Sequence, residues 1–203
     1  MALKTRDRLI EVARQLFARK GIENTTMNDI ASASDKGRRT IYTYFRNKRD
    51  IFNAVVEQET EALMERLNVI VEKDISPVEK LEEYIACRFE TMKEIVSRNG
   101  SLRAGFFRDV RRVDRARRVI SEKEIDILSR IIRQGVEAGM FANCDIEHSA
   151  VVLVHCIHGL DVPYIRDNLA EHGLDQQAVM RETTRIILEG LRKRLPCDTP
   201  VPH

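Results

Sequence analysis

Two arginines stand side by side at Arg38 and Arg39, and Thr40, Tyr42, Tyr44 and Lys48 follow close behind. The chemistry open to such a set is recognition of a polyanion. A guanidinium matches guanine O6 and N7 through two parallel N–H donors, and it matches phosphate oxygens equally well. Thr40 offers a methyl or a hydroxyl to a base edge. Tyr42 reaches a phosphate or a thymine methyl. Tyr44 either hydrogen-bonds a nucleic-acid backbone or braces the core. Lys48 and Thr26 each sit at an expected helix start, where exposed N–H groups already favour phosphate. Taken singly, Arg38, Arg39 and Lys48 also read as solvated surface charge, and only the motif around them decides between the two.

Other clusters are weaker. His155, Cys156 and His158 lie in the apolar run 150–160, and histidines three apart share a helix face. With Cys144 or His148 they could hold a metal, but such a run more often packs a core and a partner subunit. Arg108, Arg111, Arg112 and Arg115, with Arg117 and Arg118 beyond, follow helical spacing; Asp109 and Asp114 interleave, which favours a salt-bridged exposed face over a second nucleic-acid patch. The four cysteines, Cys87, Cys144, Cys156 and Cys197, fit neither a zinc knuckle nor a redox C-x-x-C and read as free thiols. No nucleophile, base and oxyanion hole assemble, and there is no Gly-rich phosphate loop and no H-E-x-x-H. The chain is expected to be no enzyme and to need no cofactor or metal.

The elements that would position these groups are helical. Of 203 residues, 43% are hydrophobic and 33% charged, Trp is absent, and Val and Ile fall at helical spacing and not in alternation. Leu9, Ala13, Leu16 and Phe17 form one stripe of a first helix from Thr5 to Arg19, stopped by Gly21. Thr25 and Thr26 cap a short second helix carrying Met27, Ile30 and Ala31 inward, ending near Ser34. Asp35 takes a left-handed turn position, and a third short helix covers 38–44, with Ile41 and Phe45 inward. Two short helices joined by a tight turn and braced by a third form the outline of a helix-turn-helix. Asn47 caps a long fourth helix, and Ser76-Pro77 opens a fifth that Asn99-Gly100 breaks. A helix over 109–140 and a loop over 139–143 follow, then helices over 146–170 and 175–195. The tail 196–203, with three prolines, is expected to be disordered.

Charge divides along the same line. Residues 1–50 hold twelve Lys or Arg against six Asp or Glu, a net of +6, while the remainder nets −4. A basic head on a mildly acidic body suits a polyanion partner for the head. No apolar stretch reaches ~18 residues and the N-terminus lacks a signal-peptide core. The expectation is a cytoplasmic protein without membrane contact.

The segment from Arg8 to Phe52 resembles the tetracycline-repressor (TetR) family of bacterial regulators. The matching residues are Ala13, Phe17 and Gly21, then Thr25-Thr26-Met27-Asn28-Asp29-Ile30-Ala31, Thr40-Ile41-Tyr42-Thr43-Tyr44-Phe45 and Asn47-Lys48. One stretch departs: Asp35-Lys36-Gly37 stands where the family usually reads Gly-Val-Ser, so the capping serine of the reading helix is missing.

The resemblance implies an all-α fold of about nine helices. Residues 1–47 would be the helix-turn-helix head, contacting DNA through Thr26, Arg38, Arg39, Thr40, Tyr42, Tyr44 and Lys48. Residues 48–195 would be an effector-binding and dimerisation domain. It further implies a homodimer whose last two long helices form a four-helix bundle across a two-fold axis, and Gly159 and Gly190 would let those helices approach. An effector cavity is implied among the middle helices, with Tyr84, Arg88, Met92, Phe106, Phe107, His155 and Tyr164 as candidate lining residues. The function so implied is transcriptional repression at a palindromic operator, relieved by a small molecule. A helical metal-dependent enzyme and a protein-binding adaptor are the competing classes.

Overall fold

Gly21 has φ +85°, a left-handed conformation that a side chain resists, and it ends the first helix where its amide bonds the Phe17 carbonyl at 3.0 Å. The computed structural model, which describes residues 2–98 and 110–192, is built throughout from such punctuated helices. They are α1 (Ala2–Lys20), α2 (Met27–Ala33), α3 (Arg38–Tyr44), α4 (Lys48–Val71), α5 (Pro77–Arg98), α6 (Val110–Glu137), α7 (Ile146–Gly159), α8 (Asp161–Arg166), a 3-10 turn (Ala170–His172) and α9 (Gln176–Leu191). No strand occurs among the described residues; one isolated backbone bridge joins Phe141 and Arg192. The fold is all-α, as expected. Asn99-Gly100, the 193–203 tail with Cys197, and the side chains of the Arg108–Arg118 series lie outside the described residues.

Caps set the boundaries. Thr26 Oγ1 accepts from the Asp29 amide at 3.1 Å while the Asp29 carboxylate accepts from the Thr26 amide at 2.9 Å, a reciprocal box that starts α2. Ser76 and Glu79 form the same box ahead of Pro77. Asn47 Oδ1 accepts from the Asp50 amide at 3.0 Å, which starts α4. Asp35 occupies the left-handed region at φ +54°, as its short polar side chain permits. At the expected single helix over 146–170 the structure differs. The helix ends at Gly159, and α8 restarts at Asp161. The physical reason is Pro163, which has no N–H to donate to the Gly159 carbonyl and whose ring would clash with it.

The chain divides into two units, Met1–Glu65 with Thr91–Ile120, and Arg66–Glu90 with Ser121–His203. In the first, Leu9, Ile10, Ala13 and Phe17 of α1, Ile30 and Ala31 of α2, Ile41 of α3, Phe45, and Ile51, Ala54 and Val55 of α4 form one buried core. Each large side chain there contributes about 1.5–3 kcal/mol, and Phe17 and Phe52 add an edge-on contact at 6.2 Å. Phe45 also carries the Arg6 guanidinium 5.7 Å above its ring.

In the second unit, Leu67 and Val71 of α4, Leu81, Ile85 and Phe89 of α5, Leu128, Ile131 and Ile132 of α6 and Val154 and Ile157 of α7 are buried. The Lys80 ammonium, itself buried, donates to the Val71 carbonyl at 2.8 Å and to Gln134 Oε1 at 2.9 Å. Gly135 is required where it stands, because a Cβ would fall 2.0 Å from the ring of buried Phe141.

Candidate nucleic-acid interface and effector site

The head presents α3 outward. Its inward side is Ile41, fully buried, with Tyr44 half-buried against the head core and Phe45 buried just beyond. Tyr44 is therefore held mainly by packing. Arg38, Arg39, Tyr42 and Thr43 are exposed and Thr40 is half-exposed. The Arg38 guanidinium lies 5.7 Å from the centre of the Tyr42 ring. That pairing restricts Arg38 without burying it, and the four-residue spacing was the available sequence signal for it. No carboxylate pairs with Arg38 or Arg39 among the described residues.

The departure at 35–37 leaves the helix start in place. Gly37 is the residue before α3, with φ −65° and ψ 149°, and no side chain caps the helix. The first amides of α3 are thus free of side-chain acceptors, next to two arginines, and this end of the helix carries positive charge.

Thr26 is exposed but its oxygen already accepts from Asp29. Hydrogen bonds from the Thr26 backbone and hydroxyl hold the Asp29 carboxyl below its ordinary pKa. Lys48 has a role that its place in the sequence did not show. Its ammonium donates to the Ile22 carbonyl at 2.5 Å and to the Glu23 carbonyl at 3.1 Å, tying the start of α4 to the connection ahead of α2. A contact 25 residues back along the chain leaves no local trace.

The candidate effector residues are distributed over both units. Tyr84, Arg88 and Tyr164 belong to the second unit, Met92 belongs to the first, and His155 is exposed on α7. Phe106 and Phe107 lie outside the described residues. Tyr164 packs on Phe89, ring centroids 4.7 Å apart. Arg88 is engaged inside the protein. Its Nε donates to Glu124 Oε1 at 2.9 Å, and its two terminal nitrogens grip the Asp161 carboxylate, one of them at 3.0 Å. His158 Nε2 contacts the other Glu124 oxygen. Burial works to lower the Arg88 pKa, but Glu124 and Asp161 hold it above its ordinary value. Burial likewise opposes the charged form of Glu124, yet Arg88 and His158 keep its carboxyl below the usual range. Burial pushes the nearby Tyr84 phenol well up. Its hydroxyl has no hydrogen-bond partner among the described residues.

Two apolar features remain. On the second unit, Val152, Leu153 and Cys156 of α7 and Ile186, Ile187 and Gly190 of α9 line a groove, with Val152 59% and Ile186 60% exposed. Among the described residues, apart from the local helix backbone, nothing lies within 4 Å of a Cβ built at Gly159 or Gly190. On the first unit, α4, α5 and α6 enclose a small cavity on which Met92 sits. Among the described residues no group of His, Cys, Asp or Glu is placed to hold a metal ion, and no helix is long and apolar enough to cross a membrane.

Residues 9–55 match the family of bacterial regulatory proteins of the tetR type. A probable acrEF/envCD operon repressor of Escherichia coli K12 is 38% identical over 97 residues, 46% of this chain and 43% of that repressor, so the matched stretch spans under half of that relative. A transcriptional regulator of Cytophaga hutchinsonii superposes with a TM-score of 0.75 at 24% identity, covering 92% of this chain and 98% of that one. SmeT, in its complex with triclosan, superposes with a TM-score of 0.70 at 19% identity, covering 98% of this chain and 99% of that one. The match to the tetR family of bacterial regulatory proteins is thus carried by the α1–α3 head and the first turns of α4, and the all-helical body shares its fold with the superposed proteins.

Proposed function

We propose that this protein is a cytoplasmic, homodimeric transcriptional repressor that binds a palindromic operator and releases it when a small molecule binds. The carrying observation is α3: a packed helix with an uncapped N-terminus, on which Tyr42 and Thr43 are exposed and exposed Arg38 and Arg39 pair with no carboxylate among the described residues. Residues 1–47 then carry the DNA contacts and 48–195 sensing and dimerisation, with no catalytic step. The apolar groove of α7 and α9 supports the dimer, since exposed Val152 and Ile186 are covered on both subunits at once by a two-fold contact. Relief by a small molecule is supported by the triclosan complex of SmeT. Thermodynamically, the effector must bind the DNA-free state better by about 1–3 kcal/mol.

The test is selection of duplexes from a random pool, followed by a salt titration. The expected product is an inverted repeat bound by a dimer, with affinity falling linearly on a log–log salt plot. Failure to enrich any duplex at low salt refutes the reading.

A further inference from the structure

Glu59 of α4 is the acidic group on the wall of the first unit's cavity, and its side chain is only 11% exposed. Val56 and Leu63 of α4, Met92 and Val96 of α5 and Ile120 of α6 supply apolar wall. Thr60 also lines it, but its hydroxyl donates to the Val56 carbonyl of its own helix at 2.8 Å. The Glu59 carboxylate pairs with Arg98 near the end of α5, and Arg98 is 51% exposed. The pair is therefore asymmetric. The anion is built into the cavity wall, whereas the cation reaches it from solvent and can return there at small cost. A carboxylate this buried needs a positive partner at all times, but nothing requires that partner to be Arg98.

Resting on the reading of the chain as an effector-released regulator, we infer that this cavity is the sensor subsite for an organic monocation: a short apolar chain ending in an amine, whose ammonium replaces Arg98 on Glu59. The cavity volume of about 50 Å³ accommodates a short alkyl segment and excludes a drug-sized body. A neutral ligand of the same shape leaves the Glu59–Arg98 pair as it was and gains only apolar contact. A carboxylate ligand is repelled. The exchange also reaches the head helix. On α1, Glu11 and Arg14 pair with each other, and the charge of Arg98 acts on Glu11 while that of Glu59 acts on Arg14. Moving Arg98 off Glu59 alters the charges facing the helix that braces α2 and α3, which gives the subsite a physical route to the DNA-reading surface.

The experiment compares n-propylamine, 1-propanol and propanoate as probes on the full chain at neutral pH. Binding is read by titration of the Met92 methyl resonance, and DNA affinity is read on a selected duplex. Propylamine is expected to bind about ten-fold or more tighter than propanol, the factor worth ~1.4 kcal/mol, with propanoate weakest, and propylamine alone should weaken DNA binding. Glu59→Gln should abolish the advantage of the amine while leaving propanol binding unchanged. Arg98→Gln should raise amine affinity, because it removes the competing cation; a residue that merely held the fold together would not yield a gain. Equal binding of propylamine and propanol, or loss of amine affinity in Arg98→Gln, overturns the proposal. If duplexes are selected and the amine has no effect on them, the subsite falls and the regulator reading stands. If no duplex is ever selected, the regulator reading falls and takes the sensor role with it.

Discussion

Arg88 gives its whole fork to the carboxylates of Glu124 and Asp161 inside the second unit, whereas Arg38 and Arg39 face solvent on α3. The difference is one of completed and uncompleted chemistry. A guanidinium that is 2% exposed, with three of its five N–H donors committed to two carboxylates, serves the interior first, and its removal strands two buried anions. An exposed guanidinium beside an uncapped helix end has its donors available, and its removal leaves the core untouched. Both kinds of arginine look alike in the sequence, as charged residues at helical spacing.

Breaking the buried side of this comparison should give the largest effect. Arg88→Ala is expected to destabilise the protein by about 3–5 kcal/mol, because Glu124 and Asp161 lose their counter-charge. Equilibrium urea unfolding checks it, and a loss below ~1 kcal/mol would mean the cluster is not closed as described. The pH dependence sharpens the point. The Glu124 carboxyl is held below its reference value of 4.5 in the folded chain, so its stabilisation is complete above that value and is lost as pH falls through the lower folded pKa. Glu124→Gln should therefore flatten the acid limb of the stability curve and leave the alkaline limb alone.

On the exposed side, Arg38→Ala and Arg39→Ala should leave stability within ~0.5 kcal/mol of wild type. At least one should cost about 1–3 kcal/mol on the selected operator and relax preference at one base per half-site. Two unchanged binding logos would move base reading off the start of α3.

Lys48 tests whether a residue can belong to both classes. With its ammonium half-buried on two carbonyls, Lys48→Ala should destabilise the head by roughly 1.5 kcal/mol, near the low end for hydrogen bonds to a charged group. If the third donor also reaches a phosphate, the salt slope of DNA binding drops by about one unit. An unchanged slope assigns Lys48 to bracing alone.

The smallest expected effect is at the missing cap. Gly37 has an ordinary φ, and a Cβ there meets only Thr40 Oγ1 at 4.0 Å, so Gly37→Ser fits without strain. The added hydroxyl should cap α3 and raise the melting temperature by an amount corresponding to a few tenths of a kcal/mol, or about 1–2 °C. It should weaken DNA binding if the free amides of α3 contact phosphate.

Much of the head was legible in the sequence because its determinants are local. Gly21, Thr26 with Asp29, Asp35, Asn47 and Ser76-Pro77 each satisfy or free backbone groups within four residues, so their types and spacing alone fix where helices start and stop. Heptad-like stripes such as Leu9, Ala13, Leu16 and Phe17 likewise report the inward face directly. The break after Gly159 was local too, with Pro163 as its signal, but the apolar run around it reads as unbroken helix. What only the tertiary structure decided is which distant side chains meet. Arg88 finds Glu124 and Asp161 across 36 and 73 residues, Glu59 finds Arg98 across 39, and Lys48 reaches back to Ile22 across 26. Charged side chains are common on every helix here, and none carries a local mark of its partner. Whether an arginine is locked into the core, poised at a cavity or left open to DNA depends on the packing of helices that bring partners within reach, and that information is spread over the whole chain.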